Sequence, residues 1–487
     1  MKLSSLLKDI KVKELVNYQN LEILNMVEDS RLATENCLFF AINGNNLDGH
    51  SYILEAVNNG AIAVIATKKS NVKVTQIIVE DTKEVMAILS YKFFKPKNKR
   101  VKVVGIVGTN GKTTTSYVIK TIFDRCGKSA GVIGTLGVQY KNVFIRPELT
   151  TPSSLTLFKT LMEMANAGVE YCALELSAHA IYLKRALPLY YEALIFTNCT
   201  QDHLDYFKTI EEYEKVKTSV FTKKNCKFCV VNIDDKTGQK IYNQTDAKCY
   251  TYGLENPSDT FAVDVECDIK GSSFIMNIDD NLLNIDFSLT GKYNVYNCMA
   301  AATVCKKLGL NCQDIAKAVS SMVGVSGRAE FIEEYNGGDI FIDYAHTPDG
   351  FENVLKTFKE LTDNNLIVVF GCGGNRDKTK RGKMGEIAGK YANFVVLTND
   401  NPRFEDGFSI ILEIEEGLKK QTQNYICIQN RARAIEYAIR AIKSGDVLLV
   451  LGKGAEEYQE IMGVKTAFSD KGAIYAALKQ ISADKGL

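Results

Sequence analysis

The sequence predicts an α/β protein of three domains, each built on a mainly parallel sheet with helices packed on it. Three observations carry this reading. The chain has 487 residues, and domains of about 150 residues are common, so length favours three. Short β-branched apolar runs alternate with helical stretches along most of it, the pattern of parallel βαβ units. One such unit, residues 101–123, carries a phosphate-binding glycine turn between its strand and its helix.

The first domain is expected over 1–97. Runs at 37–42, 61–66 and 74–79 read as strands, and 52–58 and 83–94 as helices. The segment Lys95-Pro96-Lys97-Asn98-Lys99-Arg100 is charged and contains proline, so it reads as a linker. The central domain, 98–329, has strand-like runs at 101–107, 130–133, 172–176, 193–197 and 228–232. From 261 to 289 the pattern turns to alternation, as in Phe274-Ile275-Met276-Asn277-Ile278, which predicts a small antiparallel patch at the edge. The third domain, 330–487, has runs at 340–344, 366–371, 394–398, 426–429 and 447–451 separated by helical stretches, a second doubly wound unit.

Composition narrows the function. Hydrophobic residues make up 46% and charged residues 24%, as in ordinary globular proteins. Lys+Arg is 59 against Asp+Glu 58, and no basic tail or acidic block stands out, so nucleic acid is not expected as a partner. Charge at Lys2, Lys8 and Asp9 argues against a signal peptide. No apolar run nears the roughly 18 residues a membrane span needs. A cytoplasmic monomer is expected. The 13 cysteines then read as reduced, buried thiols. Cys226 and Cys229 form a C-x-x-C pair, and a zinc site would need a second one nearby.

The phosphate loop is Gly108-Thr109-Asn110-Gly111-Lys112-Thr113-Thr114. Gly108 and Gly111 let the backbone curl its N–H groups inward onto oxyanions, and the helix start adds more. Lys112 is expected to reach the β/γ-phosphates and the Thr113 hydroxyl to hold Mg2+. The common spacing Gly-x-x-x-x-Gly-Lys-Ser/Thr wants glycine at 106, where this chain has Ile106.

Other strand ends carry chemistry as well. Glu175 ends the 172–176 run beside the loop and is poised to meet Mg2+. Asp202-His203-Leu204-Asp205 follows the next strand; His203 reads as a metal or substrate contact, while Asp202 or Asp205 equally suits a helix cap. All four histidines, His50, His179, His203 and His346, sit at strand ends or in loops. In the third domain, Asp343 to Pro348, Gly371 to Lys378 and Asp400-Asn401-Pro402-Arg403 follow three strands in turn. Such residues also favour plain turns, but the guanidinium groups of Arg376 and Arg403 match carboxylates.

Taken together, these residues resemble the Mur ligase family, ATP-dependent amide-forming enzymes of peptidoglycan synthesis. The resemblance runs along the whole chain in order: Asp29-Ser30-Arg31, Asp48-Gly49-His50, the phosphate loop, Thr150-Thr151-Pro152, Glu175 to His179 and Asp202 to Asp205. It continues through Tyr213 to Lys217, Gly291 to Asn294, Gly327-Arg328, Asp343 to Pro348, Arg376 to Lys378, Asp400 to Arg403 and Gly452-Lys453-Gly454.

The resemblance implies a small N-terminal α/β domain that binds a uridine nucleotide through Ser30 and the loop Asn45-Asn46-Leu47. It implies a central P-loop domain that binds ATP with Gly108, Thr109, Asn110, Gly111, Lys112, Thr113 and Thr114, helped by Asn294, Arg328 and Asp343. Thr150, Thr151, Ser177 and Arg185 are expected to hold a muramoyl-dipeptide. Lys217 is expected to be carbamylated and, with Thr113, Glu175 and His203, to organise Mg2+. Lys112, Lys217, Glu175 and His203 are the expected catalytic groups. A C-terminal Rossmann-like domain would receive the amino acid with His346, Arg376, Asp400, Asn401, Pro402, Arg403, Gly452 and Glu456.

The expected reaction joins an amino acid to UDP-N-acetylmuramoyl-L-alanyl-D-glutamate through an acyl phosphate. The amino acid expected is meso-diaminopimelate, its distal carboxylate on Arg403 and Arg376 and its distal ammonium on Asp400 and Asn401. Lysine would leave Arg403 unpaired. L-Lysine is nevertheless the alternative, because members that add diaminopimelate often read Gly-Lys-Gly-His-Glu where this chain reads Gly452-Lys453-Gly454-Ala455-Glu456. Many members have glutamine where Leu183 stands, so no contact is expected there. More remote readings are a folylpolyglutamate synthetase-like ligase, disfavoured by Asp29-Ser30-Arg31, and a P-loop switch or transport ATPase, which leaves Asp400 to Arg403 without a role.

Overall fold

The computed structural model describes residues 1–44, 47–95, 100–146 and 149–484. Asn45, Asn46 and most of the expected linker, 96–99, lie outside the described residues. The rest form three large sheets and a two-stranded hairpin.

The first sheet runs in the order Glu14–Val16, Thr75–Ile78, Ala61–Ala66, Cys37–Phe40, Asn25–Val27. Only Glu14–Val16 is antiparallel to its neighbour. Cys37–Phe40 is buried along its whole length because both faces are covered. Phe39 packs in a cluster with Ile53 and Ala56, and Leu38 and Phe40 in one with Val85, Met86 and Leu89. Asp81 caps the helix Thr82–Phe93 by accepting from the Lys83 and Glu84 backbone. The two outer strands and the helix Leu3–Leu7 were not foreseen; they are too short to show a period.

The central sheet has 11 strands. Lys102–Val107 lies between Tyr171–Leu176 and Ala193–Phe196, parallel to both. Ala130–Gly134 extends the parallel ladder on one side, and Phe228–Asn232 with Lys248–Gly253 on the other. The foreseen antiparallel patch is Thr260–Asp268, Gly271–Ile278 and Asn281–Phe287, at one edge. An unforeseen pair, Gly137–Tyr140 and Val143–Ile145, makes the opposite edge. Helices Lys112–Arg125 and Lys292–Lys307 cover one face through Ile119, Ile122, Phe123, Val295, Met299 and Val304. Ser154–Asn166 covers the other through Leu157, Leu161 and Met164.

The third sheet runs Glu330–Tyr335, Gly338–Asp343, Val447–Leu451, Leu366–Phe370, Phe394–Leu397, Tyr425–Cys427. Its first pair is antiparallel and the others parallel. Phe351, Leu355 and Phe358 pack with one set of sheet residues, and Ala434, Ile435, Ala438 and Ile474 with the other. The hairpin Tyr458–Ile461 with Val464–Ala467 stands apart from this sheet. Among the described residues, no helix is long and apolar enough to cross a membrane.

Candidate active site

In parallel sheets ligands gather outside the carboxyl ends of the strands, and the phosphate loop leaves the strand Lys102–Val107 at that end. Ile106 is fully buried in the strand, in register with Glu175 and Ile195. It belongs to the sheet rather than the turn, so the turn starts later and is shorter than the common spacing. Close approach explains both glycines. A Cβ on Gly108 would lie 1.8 Å from Thr197 Oγ1, and one on Gly111, at φ +85°, would lie 2.2 Å from Asn297 Oδ1.

Neighbouring strand ends pin the loop. Thr197 Oγ1 donates to Asn110 O at 2.6 Å, and Asn110 N donates to Asn198 Oδ1 at 2.9 Å. Lys112 Nζ folds back and donates to Gly108 O and Thr109 O, both at 2.8 Å. Burial pushes its pKa below the usual lysine range, opposed by the charges of Glu175 and Asp202.

Thr113 and Glu175 meet beside the loop. Thr113 Oγ1 donates to Glu175 Oε2 at 3.1 Å. Thr135 donates to the same carboxylate from Oγ1 at 2.9 Å and from its backbone N at 3.1 Å. Arg328 Nη2 donates to Thr113 Oγ1 at 2.9 Å. Arg328 sits between Gly327 at φ +64° and Ala329 at φ +44°, on the segment leading from the central sheet into the third.

Lys217 is 1% exposed, and its Nζ donates to Thr109 Oγ1 at 2.6 Å, under the loop. Burial pushes its pKa down to about 7. His203, in a left-handed conformation, lies 3.3 Å from the Asp202 carboxylate and against the His179 ring. Burial lowers its pKa to about 4, so the imidazole is neutral at neutral pH.

A second group forms on the other side of Glu175. Thr151 Oγ1 donates to Glu175 O at 2.7 Å and accepts from Ser177 N at 3.0 Å. Arg185 Nη1 donates to Thr151 O at 2.9 Å, and Thr150 Oγ1 lies 3.2 Å from Thr135 Oγ1. Thr150, Thr151, Ser177 and Arg185 therefore converge. In the first sheet's unit, Ser30 Oγ donates to Glu55 Oε2 at 2.8 Å, and Leu47 is 66% exposed.

The third unit reaches the loop at Asn110. Asn110 Nδ2 donates to Asp349 Oδ2 at 2.9 Å, and Thr347 Oγ1 donates to Asn110 Oδ1 at 3.2 Å. Asp343 accepts from the Ala329 and Ala345 backbone, both at 2.6 Å. Burial pushes its carboxyl up, against the pull of Arg328. Asn294 Oδ1 accepts from Asn297 Nδ2 at 3.1 Å. His346 packs on Tyr344, and burial lowers its pKa to about 4.

The Asp400–Arg403 loop is built into a polar net. Asn401 Nδ2 donates to Glu456 Oε2 at 2.9 Å. Lys453 Nζ, fully buried, donates to Asn401 Oδ1 at 3.0 Å and to Glu456 Oε2 at 3.1 Å. Gly452 adopts φ +108°, and a Cβ there would lie 2.9 Å from Asp400 Oδ2. A Cβ on Gly374 would lie 1.9 Å from Pro402 O, so the two loops touch. Arg376 is exposed, its Nη1 on Asn375 O. One expectation is corrected: Arg403 needs no ligand to be paired, because Nη1 donates to Gly374 O at 2.8 Å and Nε lies 3.4 Å from Glu460 Oε2.

Sequence reasoning passed over Thr135, Asn297, Asp349, Lys453 and Glu460. Lys453 stood inside a noted tripeptide and Asp349 directly after Thr347-Pro348, so both were within reach. Glu460 sits in a short exposed hairpin that carries no periodic signal.

The fold and the site place the chain in a class of ligases, and comparison with known proteins makes the assignment. Residues 22–106 match the Mur ligase family catalytic domain, 106–305 the Mur ligase middle domain and 327–454 the Mur ligase glutamate ligase domain. The chain belongs to the Mur ligase family. It is 39% identical over 486 residues to UDP-N-acetylmuramoyl-L-alanyl-D-glutamate–2,6-diaminopimelate ligase 1 of Clostridium acetobutylicum, covering 99% of this chain and 100% of that one. It is 38% identical over 468 residues to the Geobacillus thermodenitrificans protein named as the same ligase, covering 95% and 96%. A solved structure of a ligase of that name superposes with a TM-score of 0.70 at 28% identity over 99% of both chains.

Proposed function

We propose that the chain is an ATP-dependent ligase that joins meso-diaminopimelate to the D-glutamate of UDP-N-acetylmuramoyl-L-alanyl-D-glutamate, in peptidoglycan synthesis. The observation that carries this reading is whole-length likeness, at 39% identity, to a relative named for that reaction. We assign 1–97 to the UDP-substrate, 98–329 to ATP and 330–487 to the amino acid. The reading is of a monomeric, cytoplasmic enzyme.

A carboxylate has no leaving group, so an amine cannot displace oxygen from it directly. Transfer of the ATP γ-phosphoryl group to the D-glutamate carboxylate supplies one, giving an acyl phosphate and ADP. The amine of diaminopimelate then attacks the acyl carbon; phosphate leaves and the amide forms. Lys112 and the loop N–H groups face the transferring phosphoryl group and offset its charge. Thr150, Thr151, Ser177 and Arg185 orient the acceptor beside Glu175. Asp400, Asn401 and Glu456 take the distal ammonium, and Arg403 with Arg376 the distal carboxylate.

Two hard oxygen donors, Thr113 Oγ1 and Glu175 Oε2, stand 3.1 Å apart beside the loop and suit Mg2+; His203, which lies on Asp202 and His179, would add a neutral imidazole. Lys217, with its pKa near 7, has the neutral amine that carbamylation requires. When bound, Mg2+ neutralises charge on the phosphates.

The test is phosphate release. It should require ATP, the UDP-dipeptide and diaminopimelate together, with L-lysine a poor substitute. Release that ignores the amino acid, or a preference for lysine, would overturn the reading.

A further inference from the structure

The hairpin Tyr458–Ile461 with Val464–Ala467 lies against the Asp400–Arg403 loop and brings one carboxylate to it. Glu460 Oε2 is 3.4 Å from Arg403 Nε, with the two side chains 18% and 17% exposed. The backbone fixes both residues. Arg403 N donates to Glu460 O at 3.0 Å and Met462 N to Arg403 O at 2.6 Å. Glu460 N donates to Asn401 Oδ1 at 3.0 Å. Arg403 holds a left-handed conformation at φ +54°, which sets its backbone in register with the hairpin.

We propose that Glu460 is a placeholder in the amino-acid site: it stands at Arg403 in place of the amino acid's distal carboxylate and gives way to it. This rests on the assignment of Arg403 made above. A guanidinium binds a carboxylate on a planar fork, and Glu460 meets Arg403 at Nε across a long 3.4 Å contact. An incoming carboxylate whose neighbouring ammonium is held by Asp400 and Asn401 can therefore displace the glutamate. The exchange replaces one carboxylate with another, so Arg403 keeps a partner throughout. Lysine brings no carboxylate, so Glu460 stays on Arg403 and its removal brings lysine no gain.

Glu460→Gln keeps the volume and the main-chain bonds while removing the charge, and Glu460→Ala removes the side chain. Steady-state kinetics of the full-length enzyme with meso-diaminopimelate, L-lysine and ATP test the idea, in wild type, in both variants and in each combined with Arg403→Ala. The KM for diaminopimelate should fall about two- to fivefold, the range of a partly exposed ion pair, with no matching fall for lysine or ATP. The gain should vanish when Arg403 is absent. A KM for diaminopimelate that is unchanged or higher in both variants, an equal fall for lysine, or a gain that survives Arg403→Ala overturns the proposal. If wild type ligates diaminopimelate in those cases, the assigned function stands. A wild type inactive with diaminopimelate removes that function and this proposal with it.

Discussion

Lys112 carries a single charge at the mouth of a loop whose main-chain N–H groups come from residues that stay in place when it is replaced. Lys112→Ala should therefore fold as wild type by circular dichroism and lose ligation by at least about 10^2-fold. Lys217 makes a different prediction. Its folded pKa of about 7 lies below its ordinary 10.5, so the unfolded chain binds more protons between these values. In CO2-free buffer, stability should rise as pH goes from about 7 towards 10 and fall as pH drops back. Lys217→Met should flatten that slope in denaturant titrations at several pH values, and should ligate poorly. Lys112 stood out because Gly-Lys-Thr at a strand–helix junction has few other uses, whereas Lys217 was reached only through the family resemblance. Their partners were less legible. Arg403 stood out as a guanidinium among turn residues, but its pairing with Glu460 depends on a hairpin that only the folded chain brings near.

At the level of elements, legibility followed burial. Strands covered on both faces, such as Lys102–Val107 and Val447–Leu451, read as continuous apolar runs. Exposed or three-residue strands, such as Val143–Ile145 and Asn25–Val27, carry no such signature. Charged residues inside helices mislead in another way, since sequence assigns them to solvent. Arg431, at the start of the helix Arg431–Ala441, is fully buried against Asp470, which opens Asp470–Asp484. Its Nη2 also donates to Leu451 O at 2.9 Å, next to Gly452. Arg431→Met leaves Asp470 buried without its partner, so it should cost about 3–5 kcal/mol. Denaturant unfolding of the variant is the measurement; a loss below about 1 kcal/mol would contradict this account of the pair.

Across the whole molecule, the phosphate loop meets the third sheet's unit at Asn110, which bonds both Asp349 and Thr347. Asn110 and Asp349 are 239 positions apart in sequence, yet they share a hydrogen bond. Asp349→Ala should leave each unit folded and lower kcat/KM for ATP about tenfold, because the third unit then has to be positioned at the loop without that bond. Wild-type ATP kinetics in that variant would exclude the contact from that positioning. The order of the three units could be read from the chain because each repeats the strand–helix alternation. Contacts between units could not, because no sequence pattern spans 239 positions.

The segment Gly327-Arg328-Ala329 has a mechanical consequence. Its flanking residues hold left-handed backbone, a Cβ on Gly327 would lie 2.3 Å from Ala455 N, and its guanidinium rests on Thr113 Oγ1. Left-handed backbone and guanidinium thus share one three-residue segment. A rotation of the third unit about this segment would draw the Arg328 guanidinium away from Thr113. On the proposed function the segment would act as an interlock, since a chain in which that contact is broken has one positive charge fewer beside the phosphate loop.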